Sequence, residues 1–129
     1  MQAADLAALD RESYISLVTF RRSGVGVPTP VWFAVQGGSL FAFTESRAGK
    51  VKRLRNDPRA RFAACNARGR VHGPWHEARA RVVAGAEEQR AAYAALRAKY
   101  GWQMRLLDFF SRLGGRIGAR AVLEIEPVA

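Results

Sequence analysis

Two apolar runs, VWFAVQ (31–36) and SLFAFT (39–44), are separated only by Gly37-Gly38. A two-residue glycine link between β-prone runs is a strong hairpin signal, because the tight turn needs positive φ at both central positions. The chain is thereby committed to an antiparallel sheet. Residues 31–36 are apolar on both faces, which marks an interior strand. Just upstream, Pro28 and Pro30 flank Thr29, and a proline cannot donate to a ladder, so this segment reads as a strand entrance or an edge.

Four further runs have strand character: 14–20, 61–65, 75–84 with one wet face, and 121–125. Helical patterns cover 1–11, a short stretch from an N-cap at Ser46 to about Asn56, residues 87–100 and residues 102–113. In the third of these, Glu87 and Glu88 open the helix, Arg97 and Lys99 end it and Gly101 closes it, which matches the macrodipole and a glycine stop. The order α-β-β-β-α-β-β-α-α-β predicts a mainly β (α+β) fold. Its form is a six-stranded antiparallel barrel with short flanking helices, one domain over 1–129, and not a doubly wound sheet.

The 21 Lys and Arg residues against 11 Asp and Glu give a net charge of +10. Such a field favours anionic partners, although abundant Arg beside Ala and Gly also fits a GC-rich genome. No apolar run reaches the roughly 20 residues of a membrane span. The first ten residues lack the basic start of a secretory leader, and Cys65 is the single cysteine, so the cytoplasm is the expected location. No nucleic-acid module is recognisable, and the aromatic residues sit at apolar positions rather than among the arginines.

The densest chemical signal is FTESRAGKVKRLRNDP, residues 43–58. A strand ends at Thr44 and a helix follows, with Arg47, Lys50, Lys52, Arg53 and Arg55 crowding the junction. A helix N-terminus with hydroxyls and a lysine beside it is an anion site, and Gly49 lets a phosphate approach the backbone. A solvated basic helix face accounts equally well for the charge run alone. The spacing is not that of a Walker loop.

Together with this stretch, P-x-P-V-W-F (28–33), Thr44, K-V-K-R-L-R-x-D-P-R-x-x-x-A-x-C (50–65), G-x-x-x-G-P-W (69–75) and A-R-V (80–82) resemble the pyridoxamine-phosphate-oxidase-like split-barrel superfamily. Within it the pattern is similar to the actinobacterial branch of F420-dependent oxidoreductases, over about half the chain (27–83). The resemblance implies an FMN-binding split-barrel type of fold. It also implies a homodimer with cofactor sites at the subunit interface and a small-molecule substrate.

By the same resemblance Thr29, Pro30, Val31 and Trp32 would line the cofactor ring. Thr44, Gly49 and Lys50, with Lys52 nearby, would hold its phosphate portion, and Cys65 and Asn66 would approach the ring from the other side. Relatives that bind FMN carry more basic residues on the strand occupied here by 31–35. Its apolar character favours the deazaflavin coenzyme F420, whose oligoglutamate tail would also suit the positive surface. The alternatives are an FMN- or haem-binding split-barrel protein, or a non-enzymatic cofactor carrier.

Hydride transfer belongs to the cofactor, so no catalytic side chain is required, and no nucleophile motif is visible. His72 and His76 flank Gly73-Pro74, cannot share a helix face and lack further ligands, so no metal site is expected. Cys65 reads as a small buried hydrophobe. Trp75 fits either a barrel-mouth aromatic or core. Trp102, Met104, Leu106, Leu107, Phe109 and Phe110 fit either a cover over a substrate pocket or, in better accord with the breadth of the cluster, burial against a second subunit.

Overall fold

The computed structural model describes residues 1–113 and 120–128, with the side chains of 110–113 outside that description. Seven strands form one antiparallel sheet in the order β2-β1-β5-β6-β7-β4-β3. They are β1 (Tyr14–Phe20), β2 (Gly26–Val31), β3 (Phe33–Gln36), β4 (Ser39–Glu45), β5 (Arg59–Cys65), β6 (His76–Val83) and β7 (Arg120–Pro127). The helices are α1 (Ala3–Leu9), α2 (Gly49–Asn56), α3 (Ala86–Tyr100) and α4 (Trp102–Leu113).

The predicted hairpin is present. Gln36 pairs with Ser39 across Gly37 and Gly38, whose φ values are 60° and 85°. The strand count is corrected from six to seven, because the proline segment is itself a strand. β2 pairs only with β1, from Ile15↔Val31 to Phe20↔Gly26, and an edge strand tolerates prolines. Trp32 lies between β2 and β3, so the single interior strand predicted over 31–36 divides there and its parts fall in the two edge strands, the apolar faces being covered by the core and by α3.

The two sheet edges, β2 and β3, are therefore consecutive in the chain. Among the described residues no ladder joins β2 to β3 or β4, and the sheet curls into a half-barrel with an open split between them. Ile15, Leu17, Phe33, Leu40, Phe62, Leu123 and Ile125 fill the interior and are fully buried. Leu6 and Leu9 of α1 plug one end of this core, and Leu54 of α2 joins it as well. Outside the barrel α3 packs through Leu96 and Tyr100 on Ala34, with Trp32 and Phe43 alongside.

Tyr100 locks the strand switch. Its hydroxyl accepts the Phe33 N–H at 2.9 Å and shares its own proton between the carbonyls of Ser13 and Phe33, each at 2.8 Å. The Trp32 ring lies on the Tyr100 ring, with centroids 4.4 Å apart and planes 8° from parallel. Burial pushes the Tyr100 hydroxyl well above its usual range, so it stays neutral. Next to it, Lys99 reaches Asp10 at 3.1 Å and lies 3.6 Å above the Phe33 ring centroid, while Asp10 also accepts the Val35 N–H at 3.1 Å. Tyr100→Phe keeps the ring stack but leaves the buried Phe33 N–H without its acceptor. A loss of about 1–3 kcal/mol in unfolding free energy is expected, measured by urea titration.

The Ser46 cap is also corrected. Ala48 N–H bonds the Glu45 carbonyl at 3.0 Å, and this turn delays the helix to Gly49 with Ala48 at the cap position.

Candidate functional site

The barrel split and the helix beside it gather a cluster of cations and hydroxyls. Along β4, Leu40 and Ala42 face the core, so the pleat turns Thr44 to the same side. Thr19 of β1 follows Ile15 and Leu17 inward, and Thr29 of β2 stands opposite Leu17. On α2, Val51 and Leu54 are buried, and Lys50 and Arg53 flank them on the protein-facing side. Lys52 and Arg55 face solvent.

Lys50 Nζ donates to Thr44 Oγ1 at 3.2 Å, and Arg53 Nε donates to Thr19 Oγ1 at 2.6 Å. Among the described residues neither cation has a carboxylate within ion-pair distance. Burial, reinforced by the charge of Arg53 and opposed by Glu45, lowers the Lys50 ammonium below its ordinary value of 10.5. Burial and the neighbouring Arg21 lower the Arg53 guanidinium in the same sense. Both shifts come first from burial and second from a neighbouring arginine, and Glu45 offsets only part of the effect on Lys50. The Thr29 hydroxyl oxygen is buried and has no hydrogen-bond partner among the described residues.

Gly49 also borders the side chain of Arg53. A Cβ there would stand 2.7 Å from Arg53 Nη1, so the missing side chain makes room for the guanidinium to fold back toward Thr19. Arg53 and Thr19 were not singled out from the sequence as a pair. The available signal was the i, i+3 spacing of Lys50 and Arg53, which puts both on one helix face.

The other sequence-predicted residues distribute as follows. Pro30 is exposed on the β2 edge, Val31 joins the core, and Trp32 points outward onto Tyr100. Cys65 is buried opposite Tyr14, at the far end of β1 from Thr19, and burial with the charge of Glu12 pushes its thiol up. Asn66 accepts the N–H groups of Arg68 and Arg70 at 2.9 and 3.0 Å, and Gly69 of that loop lies against Pro30. Thr44, Gly49, Lys50 and Arg53 meet Thr19 at one end of the split, and Thr29 stands two residues further along β1, opposite Leu17. Cys65 lies at the other end of β1, five residue steps from Thr19 or roughly 16 Å at strand rise, and Asn66 follows it.

His72 approaches Glu12 at 3.6 Å and His76 stacks near Phe62 at 5.1 Å. Among the described residues no group of three or more His, Cys, Asp or Glu is placed to hold a metal ion. Trp75 is exposed at 44%. In α4, Met104 is buried, whereas Trp102, Leu106, Leu107 and Phe109 are exposed; Phe110 lies outside the described side chains. No described helix is long and apolar enough to cross a membrane.

The half-barrel is of the split-barrel class, and its split carries cations and hydroxyls. The family profile of pyridoxamine 5'-phosphate oxidase matches residues 1–129, and the chain belongs to that family. No curated protein matches the sequence.

Three solved structures share the fold. A conserved hypothetical protein of Mycobacterium tuberculosis has a TM-score of 0.75 at 20% identity, over 100% of this chain and 82% of that one. The haem storage protein of Vibrio cholerae has a TM-score of 0.73 at 12% identity, over 98% and 90%. An F420 reductase has a TM-score of 0.62 at 18% identity, over 95% and 92%. At these identities the likeness is one of fold.

Proposed function

We propose that the protein is an F420-dependent oxidoreductase that passes a hydride between the deazaflavin coenzyme and a small organic acceptor. The observation that carries this is the Lys50–Arg53 pair, two half-buried cations set among threonine hydroxyls without a carboxylate. A phosphate supplies what that cluster lacks: negative charge for the cations and acceptor oxygens for the orphaned Thr29 hydroxyl.

The cofactor, when bound, supplies the hydride chemistry. The chain's own part is to bind and orient. Lys50 and Arg53 neutralise the phosphate, Thr29 and Thr44 donate to it, and the segment from Thr29 to Trp32 lines the ring. The roughly 16 Å along β1 from Thr19, beside Arg53, to the strand end at Cys65 suits a ligand with a phosphate at one end and a ring at the other. The apolar segment from Val31 to Val35 supports F420 over FMN. The proposal includes a homodimer with the cofactor at its interface, working in the cytoplasm, where a lone thiol such as Cys65 stays reduced.

Absorbance spectra and calorimetric titration of the purified protein with F420 and with FMN test this. Saturable binding with F420 the tighter ligand is expected. Binding of neither, or a haem spectrum in the purified protein, would overturn it.

Thr29→Val offers a sharper check. It removes a buried hydroxyl that has no partner in the ligand-free chain, so stability there should rise by about 1 kcal/mol. Cofactor affinity should fall at the same time by about fivefold. The denaturant midpoint should therefore rise without ligand and stay near that of the parent at saturating ligand, where the lost affinity cancels the gain.

A further inference from the structure

Beside the barrel, α4 is fixed with an apolar face turned to solvent. Met104 is fully buried against Leu96 and Tyr100, and Asp108 is held by Arg97 at 3.1 Å and Arg120 at 2.7 Å. These two anchors leave Trp102, Leu106 and Leu107 exposed at 71%, 46% and 36%. With Trp32 and Gln103 they line a groove of about 280 Å³. Exposed apolar surface of this kind marks a binding site more often than idle surface.

We propose that this groove binds a planar, uncharged, conjugated molecule of one or two fused rings, the hydride acceptor of the reaction. The class follows from the lining. Among the described residues no charged side chain lines it, so a charged ligand would lose its hydration without compensation from them. Two indoles provide stacking faces, and that of Trp32 is held in place by Tyr100. Gln103 offers both a donor and an acceptor for a polar edge such as a carbonyl. The volume lies just below the range of drug-sized pockets.

The acceptor role rests on the proposed function through Trp32, which belongs both to the ring-lining segment and to the groove. In the reaction one acceptor carbon gains a hydride, with both its electrons, from the reduced cofactor. A solvent proton completes the reduction, and the cofactor is left oxidised by two electrons.

The test is calorimetric titration of the full chain, free of cofactor, with 1,4-naphthoquinone and with a saturated bicyclic ketone of similar size. Saturable binding of the planar probe only is expected, weakened at least tenfold by Trp102→Ala and by Leu106→Ser. Both positions are exposed, so both variants should melt as the parent does. Lys50→Ala should leave probe binding unchanged while cofactor binding falls, which separates failure of the groove from failure of the cofactor site. Equal binding of the two probes, or parental affinity in both groove variants, would overturn the proposal. So would conversion of a dimer to monomers by Trp102→Ala in sedimentation, since a second copy would then occupy the face.

Discussion

Lys50→Ala should weaken cofactor binding about 30-fold, the largest functional effect of any single replacement in the cluster. The ammonium is half-buried, donates to Thr44 and, among the described residues, makes no ion pair, Glu45 acting on it only from beyond ion-pair distance, so its charge is available to a ligand phosphate. A hydrogen bond to a charged partner contributes about 2 kcal/mol, which corresponds to that factor. Lys50→Arg should recover only part of the loss, because the planar guanidinium cannot replace a compact ammonium beside Thr44.

The pH dependence follows from the direction of the Lys50 shift. Its ammonium is held below the ordinary value of 10.5 by burial and by Arg53, so the ligand-free site loses its charge earlier than a surface lysine. Affinity should be level near neutrality and fall on the alkaline side before 10.5 is reached. Titrations across that range in wild type and Lys50→Ala would show the alkaline limb in the first and not in the second.

The largest effect on stability is expected at Asp108. Its carboxylate is bound by Arg97 and by Arg120, whose side chain is only 6% exposed. Asp108→Ala removes the anion between two guanidinium groups, one of them desolvated, and should cost about 3–5 kcal/mol of unfolding free energy. Asp108→Asn, which keeps the shape and some hydrogen bonding, should fall between the two.

Burial alone would push the Asp108 carboxyl up, but the hydrogen bonds and charges of Arg120 and Arg97 outweigh it and hold the group below its usual 3.8. A carboxyl lowered in the folded state contributes fully above the unfolded value. That contribution is lost as the pH falls through the folded value. Acid unfolding should therefore begin earlier in Asp108→Asn than in wild type, as followed by circular dichroism between neutrality and about pH 2.

Most of the fold was legible wherever one local signal had no competitor. β1 was read to the residue, because an unbroken β-prone run ends against a polar turn. α3 was read to within one residue, because its charges agree with its dipole and glycine ends it. β2 was missed as a strand because proline argues against a strand wherever both edges are paired. Only the finished sheet reveals that one edge of this strand is free.

The site divides along the same line. Lys50 with Thr44 could be read from a strand–helix junction six residues long. Arg53 with Thr19 joins positions 34 apart, and no spacing rule in sequence announces that contact. The exposure of Trp102 and Leu106 was likewise hidden, because an apolar helix face looks the same in sequence whether it is covered or bare.

The proline strand also limits how this protein meets other chains. Pro28 and Pro30 stand at alternate positions of β2 and cannot donate to β1, so their nitrogens lie along the outer margin of the sheet. That margin offers carbonyls but few amide protons, and an incoming strand finds no continuous ladder to extend. The opposite margin, β3, is four residues long and backed by α3. Fibril-like growth by strand addition is thereby discouraged at both borders, and self-association is left to faces made of side chains.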